Sequence, residues 1–240
     1  MTLLDVAPST THAIRDWSLN LDANAVLRGQ GIDPALVRRP RIVAIAERAV
    51  ELGRDLIEPQ VAYRVFPIEA VRHQRLELSG GKPLVSALLA EQLAPAQQLV
   101  VIVGTIGARL ERSAAELMRS DPALGLALDA YGSAAVEALS EAMCNRLEEE
   151  ARARQWQASV PLGPGMIDWP VESGQPQIFQ LVNANLIGLT LNDSAQMIPY
   201  KSSSMVLGLG PRSFEAGRTC DFCALRDTCR YQNRAAHQVQ

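Results

Sequence analysis

The run Leu99-Val100-Val101-Ile102-Val103 constrains this chain most. It is apolar throughout, mostly β-branched, and shows no alternation, so it reads as a strand buried inside a sheet. Gly104-Thr105-Ile106-Gly107 then turns the chain into a helix from Ala108 to Arg119. Val61 to Pro67 alternates with period two apart from the small Ala62, which predicts a second strand. Met197 to Gly208 predicts another strand, with Pro199 at its start. Helical stretches are expected at 22–31, 40–58, 84–93, 123–154 and 175–186, with a break or kink at Gly132-Ser133. Residues 155–170 carry three prolines and two glycines and read as irregular chain or a short edge strand. Residues 1–20 are polar and mixed and read as a mobile or loosely docked arm. Helices and strands do not alternate regularly. The order favours an α+β fold with an antiparallel or mixed sheet and long helices over one face.

Size and charge narrow the function. A chain of 240 residues with 48% apolar content can build one large domain or two small ones on a shared core. The net charge of −3 lacks the basic footprint of a nucleic-acid binder. No apolar run reaches the roughly 18 residues of a membrane span, and the N-terminus lacks a signal-peptide layout. A cytoplasmic protein is the expectation.

The strongest local signal is Cys220-Asp221-Phe222-Cys223, followed after five residues by Cys229. A tight Cys-x-x-Cys turn presents two thiolates to one ion, and a third from the next turn suits zinc or an iron–sulfur cluster. The fourth ligand is open among Asp221, Asp227, His237, Cys144 or an exogenous group. The plain alternative is three inert thiols. Gly104-Thr105-Ile106-Gly107 could face an anion with its backbone N–H groups, but it lacks the Lys-Ser/Thr of a phosphate loop and reads more simply as a tight turn. Lys201-Ser202-Ser203-Ser204 offers hydroxyls to a ligand or to turns and edges. His12, His73 and His237 are scattered, and no nucleophile elbow or His-Glu-x-x-His pair occurs.

Pro161-Leu162-Gly163-Pro164-Gly165-Met166-Ile167-Asp168-Trp169-Pro170 is a loop whose prolines fix φ and whose glycines free it. Here the sequence resembles the activation (AdoMet-binding) domain of cobalamin-dependent methionine synthase, and still more its small stand-alone relatives. Pro164-Gly165 matches the family's Pro-Gly, Pro170 its next proline and Ile178-Phe179 its helix aromatic. Gly188-Leu189-Thr190-Leu191-Asn192-Asp193-Ser194 matches its second block, and Met197, Pro199, Ser202 and Ser204 follow in register. Val26-Leu27-Arg28-x-x-Gly31, Tyr63-Arg64-Val65-Phe66, Gly104 to Gly107, Asp129-Ala130-Tyr131-Gly132-Ser133 and the terminal cysteines resemble the stand-alone relatives, so the likeness spans about residues 22–234.

The resemblance implies a bent, mixed or antiparallel sheet covered by helices. It implies an arm over 1–21, the activation-like domain over 22–212, and a cysteine-rich metal or cluster segment over 213–240. It also implies an accessory role in reductive activation or methylation of a corrinoid (cobalamin) cofactor on a partner methyltransferase, with AdoMet as methyl donor. Glu141, Gly163, Pro164, Gly165, Met166, Ser202 and Ser204 would line the ligand site, and Cys220, Cys223 and Cys229 would hold the metal. No catalytic residue is singled out. The partner would supply the cobalt, because no Asp-x-His-x-x-Gly motif occurs. Two positions depart from the family. Pro161 stands at its AdoMet-contacting arginine and Met166 at its tyrosine, so AdoMet held in the family's manner does not follow. The alternative is an iron–sulfur or zinc protein that transfers electrons or serves as a structural subunit of a methyltransferase complex.

Overall fold

The computed structural model describes residues 3–5, 10–215 and 217–228. Its elements in chain order are β1 (His12–Ile14), α1 (Ala23–Gly29), α2 (Pro40–Leu56), β2 (Gln60–Arg72), β3 (Arg75–Leu78), β4 (Leu84–Val85), α3 (Ala87–Gln92), β5 (Gln98–Thr105), α4 (Arg109–Ser120), α5 (Pro122–Ala153), β6 (Gln157–Ala158), α6 (Val171–Leu181), β7 (Thr190–Leu191), β8 (Met197–Ile198) and β9 (Ser202–Gly210). β5 is the valine-rich run, buried from Leu99 to Thr105. It pairs with β2 on one side and β9 on the other, in a sheet ordered β4-β3-β2-β5-β9-β6 with β1 added on β2. Every pairing is antiparallel. The run shows no alternation because both faces of β5 are covered. Val100 and Ile102 face one core, whereas Leu99, Val101 and Val103 face another.

The first core lies under α1, α2, α4 and α5. α5 crosses its neighbours at small residues. A Cβ on Gly29 would come 2.8 Å from Ala130 O, and one on Gly53 only 2.4 Å from the Tyr131 ring. The expected break at Gly132-Ser133 does not occur, and α5 runs unbroken from Pro122 to Ala153. Gly132 instead makes room for Leu110 and the Lys201 stem, and Ser133 Oγ donates back to Asp129 O at 3.3 Å. Packing against α4 and the Lys201 stem outweighs the low helix propensity of both residues.

The second core lies on the opposite face, beneath α3, α6 and the irregular chain around 160–170 and 184–189. α6 begins at Val171 with Pro176 inside it, earlier than expected, and a separate 3-10 turn over Ala184–Ile187 ends on Gly188 at φ 68°. The single strand expected over 197–208 is two strands, β8 and β9, divided at the cis Ile198–Pro199 bond. Parts of the N-terminal stretch lie against the fold. Leu3 and Leu4 are buried in the first core, and β1 pairs with β2. No helix among the described residues is long and apolar enough to cross a membrane.

Candidate functional site

The loop 161–170 is built on the free edge of β9. β6 pairs with β9, and Leu162 continues the line by exchanging both backbone hydrogen bonds with Val206, at 3.0 and 2.8 Å. Close approach then requires Gly163, where a Cβ would lie 2.9 Å from Ser204 O. Gly165 turns the chain at φ 97°, and its N–H donates to Trp169 O at 2.8 Å. The fold of the loop seats Trp169, which is fully buried. Gly174 of α6 sits under it, since a Cβ there would be 2.9 Å from both Trp169 Nε1 and Pro164 Cβ. Trp169 Nε1 and Gln175 Oε1 are buried and have no partner. Met166 turns onto the second core, with its sulfur accepting the Gly163 N–H at 3.3 Å. Gly163, with Pro164, Gly165 and Met166 beside it in the loop, thus lies against Ser204 of β9.

Ser202 is bonded into the turn before β9. Its Oγ lies 2.7 Å from Pro199 O and 2.9 Å from Thr105 Oγ1, and Thr105 Oγ1 accepts the Gly107 N–H at 3.1 Å. The Ile106 N–H is likewise taken by Lys201 O. The Gly104–Gly107 motif therefore spends these donors on the strand-to-helix turn. Lys201 is nearly buried, with Nζ 2.8 Å from Asp129 Oδ1 and 2.9 Å from Ser133 Oγ, which explains the Asp129-to-Ser133 motif as a tie between α5 and β9. Ser203 points to the helical side, 2.8 Å from Ser140 Oγ.

Glu141, the next residue on α5, lines a cleft of about 650 Å³ with Glu137, Arg28 and Asp22. The walls of that cleft are α1, the 3-10 turn at Pro34–Leu36 and α5, and none of the loop residues lines it. The structure does not place Glu141 in one pocket with Gly163–Met166.

The cysteine segment folds back onto the same loop. Cys220 lies in a 3-10 turn over Thr219–Phe222, and the Cys223 N–H donates to Cys220 O at 3.3 Å. Phe222 packs on the second core and its carbonyl accepts the Ile167 N–H at 2.9 Å, while Cys223 forms a β-bridge with Met166. Both thiols are half-buried. Hydrogen bonds from the Arg218 backbone and side chain hold the Asp221 carboxyl below its usual range and tie it into the turn. Asp227 is exposed beside Arg226 at 3.5 Å. Cys144 is remote in kind as well as place. It is buried in the first core, 3.6 Å from Met205 Sδ, and burial first, then Glu148 and Glu141, pushes its thiol up to about 12. A thiol so held is neutral and a poor ligand. Cys229 and His237 lie outside the described residues. Among the described residues no three His, Cys, Asp or Glu side chains group to hold a metal ion. Neither spacing nor composition shows that the loop and the cysteine turn are one unit. The one cue is the pair of aromatics, Trp169 and Phe222, one in each segment.

No protein-family model and no curated protein matches the sequence. A solved structure does: the MetH reactivation domain bound to AdoHcy, with a TM-score of 0.62 and 14% identity, covering 98% of this chain and 90% of that one. The fold is that of a MetH reactivation domain. At this identity the likeness speaks for the course of the backbone, over nearly the whole chain. The antiparallel sheet, the helical layer and the loop on the β9 edge are all included in it.

Proposed function

We propose that this chain is an accessory protein for the reductive activation or methylation of a corrinoid cofactor carried by a partner methyltransferase. The observation that carries the reading is the fold, matched along 98% of the chain to a domain whose stated role is reactivation. Loop 161–170 and the start of β9 would form the face presented to the corrinoid. The contribution of this chain would be orientation and proximity rather than acid–base chemistry. That neighbour holds AdoHcy. In this chain Pro161 offers no side-chain donor and Met166 turns inward, so the proposal does not rest on AdoMet held by an arginine. Gly163, Pro164, Gly165 and Ser204 remain the proposed ligand-facing residues, with Glu141 assigned to a separate cleft.

The test is to mix the purified chain with a cobalamin-loaded corrinoid protein and a reductant, with and without AdoMet, and follow the cobalt spectrum. Faster conversion of cob(II)alamin in the presence of the chain supports the proposal. Failure to bind either the corrinoid protein or AdoMet at millimolar concentration would end it.

A second reading makes the chain an iron–sulfur or zinc protein that passes electrons or braces a methyltransferase complex. It is favoured by the bridge that sets Cys223 against Met166 of the loop, one turn from Cys220. Brown protein containing iron and sulfide would speak for electron transfer, and colourless zinc protein for a brace.

A further inference from the structure

On the helical side of the sheet, α2 and α4 stand as two walls beside α5. α4 runs antiparallel along α5 at close range. A Cβ on Gly132 would meet Leu110 at 2.6 Å, and one on Gly125 would meet Met118 N at 2.7 Å. Gly53 brings α2 equally close to Tyr131 of α5. The Arg109–Glu58 pair ties the start of α4 to the chain leaving α2. Both walls press on α5, and a groove of about 660 Å³ remains between them. Leu124 and Leu128, one turn apart on α5, form its base and are fully buried. Above them Leu56 and Leu117 are half-buried and Leu52 is 39% exposed. Aliphatic side chains at one-turn spacing along two helices offer ridges into which another helix packs.

The rim carries an excess of one sign. Three carboxylates line it, Glu51 and Asp55 on α2 and Glu116 on α4, against a single cation, Arg48. All four are exposed, and among the described residues none makes an ion pair. From Arg48 to Asp55 the groove follows α2 for about 10 Å, or two turns. A second copy of the chain would set these carboxylates against themselves, and an anionic membrane surface would be repelled by them. A cationic amphipathic helix complements both the leucines and the rim.

We propose that this groove docks an amphipathic helix of a partner protein, with the aliphatic stripe of that helix on Leu52, Leu56 and Leu117 and its lysines or arginines beside Glu51, Asp55 and Glu116. The bound helix extends the layer that covers the first core. Loop 161–170 lies over the second core, so both surfaces can be engaged at once. The docking does not rest on the corrinoid reading, because it concerns the helical face alone.

The experiment uses the full chain and a labelled synthetic peptide of about 15 residues, with leucine at i, i+4 and i+7 and lysine beside the stripe. A twin carries glutamate for lysine, and a scrambled peptide keeps the composition without the stripe. Binding is read by fluorescence anisotropy, and amide hydrogen exchange locates it. The lysine peptide should bind at least about tenfold more tightly than either control and slow exchange in α2 and α4. Leu52→Gln, and Glu51→Lys combined with Glu116→Lys, should each weaken it at least about fivefold. These side chains are exposed, so the circular dichroism of the fold should be kept. Leu126→Gln, at an exposed leucine outside the groove, should change nothing. Four results overturn the docking: no binding at millimolar peptide, a scrambled peptide that binds as well, Leu126→Gln as damaging as Leu52→Gln, or a dimer of the free chain in sedimentation that Leu52→Gln dissolves. The last would make a second copy the occupant. A chain that binds a corrinoid protein yet ignores the peptide refutes the docking and leaves the proposed function standing.

Discussion

Trp169 anchors loop 161–170, and its removal should be felt first as lost stability. The side chain is fully buried, the largest such side chain in the structure, between Pro164 and Gly174. A buried tryptophan removes roughly 150–250 Å² from water, worth about 4–6 kcal/mol at 25 cal/mol per Å² as an upper figure. Trp→Ala substitutions in cores cost about 3–5 kcal/mol. We therefore expect Trp169→Ala to destabilise by about 4 kcal/mol. With a urea slope of about 3 kcal/mol per M, the midpoint falls by roughly 1.3 M. Trp169→Phe should behave differently. The indole Nε1 has no hydrogen-bond partner, so phenylalanine forfeits ring volume and no bond, for about 1–2 kcal/mol. Urea titrations followed by circular dichroism measure both. A loss below about 1 kcal/mol for Trp169→Ala would refute the claim that this side chain seats the loop. Equal losses for the two variants would show that the indole N–H makes a bond that counts.

Further outcomes follow from the same geometry. Gly53→Ala gains about 1 kcal/mol of helix propensity but sets a Cβ 2.4 Å from the buried Tyr131 ring. The clash should win and lower Tm by several degrees in a thermal scan, and a higher Tm would show that α2 and α5 can part. Cys144, with its thiol pushed up to about 12, should resist alkylation at pH 8 while Cys220 in metal-free protein reacts, which mass spectrometry of labelled peptides resolves. The unfolded Cys144 thiol releases its proton near 9.0 and the folded one near 12, so its contribution is whole below pH 9 and drains away as pH rises between them. Denaturation of Cys144→Ala should show a shallower alkaline decline than the parent. Pro161→Arg restores a charged donor at the family's arginine position, and calorimetry should show AdoMet binding at least about tenfold tighter. No gain would mean that this part of the loop edge does not face the ligand.

The parts legible in the sequence were those whose causes are local. The unalternated run at Leu99–Val103 announced a covered strand, and the helices expected over 22–31 and 40–58 lie close to the observed Ala23–Gly29 and Pro40–Leu56. Pro164-Gly165 and the Ser202-x-Ser204 register pointed to the loop and strand that do lie side by side. The misses came where packing overrode local preference. Gly132-Ser133 stayed helical because Leu110 and Lys201 need the space. The polar first twenty residues gained a strand because β2 had an open edge. At the candidate site, Ser202 Oγ lies against Pro199 O and Glu141 lines a cleft beside α1, neighbours that no local spacing specifies.

Sequence alone settled which segments prefer helix or strand and which residue types could do chemistry, because backbone sterics, side-chain branching and thiol softness are properties of single residues and short spacings. Tertiary structure alone decided which of those residues meet. The cysteine turn lies against the proline-glycine loop through a backbone bond from Ile167 to Phe222, a contact across more than fifty residues of chain. Such a contact arises from how the second core closes around Trp169 and Phe222, and no local spacing encodes it.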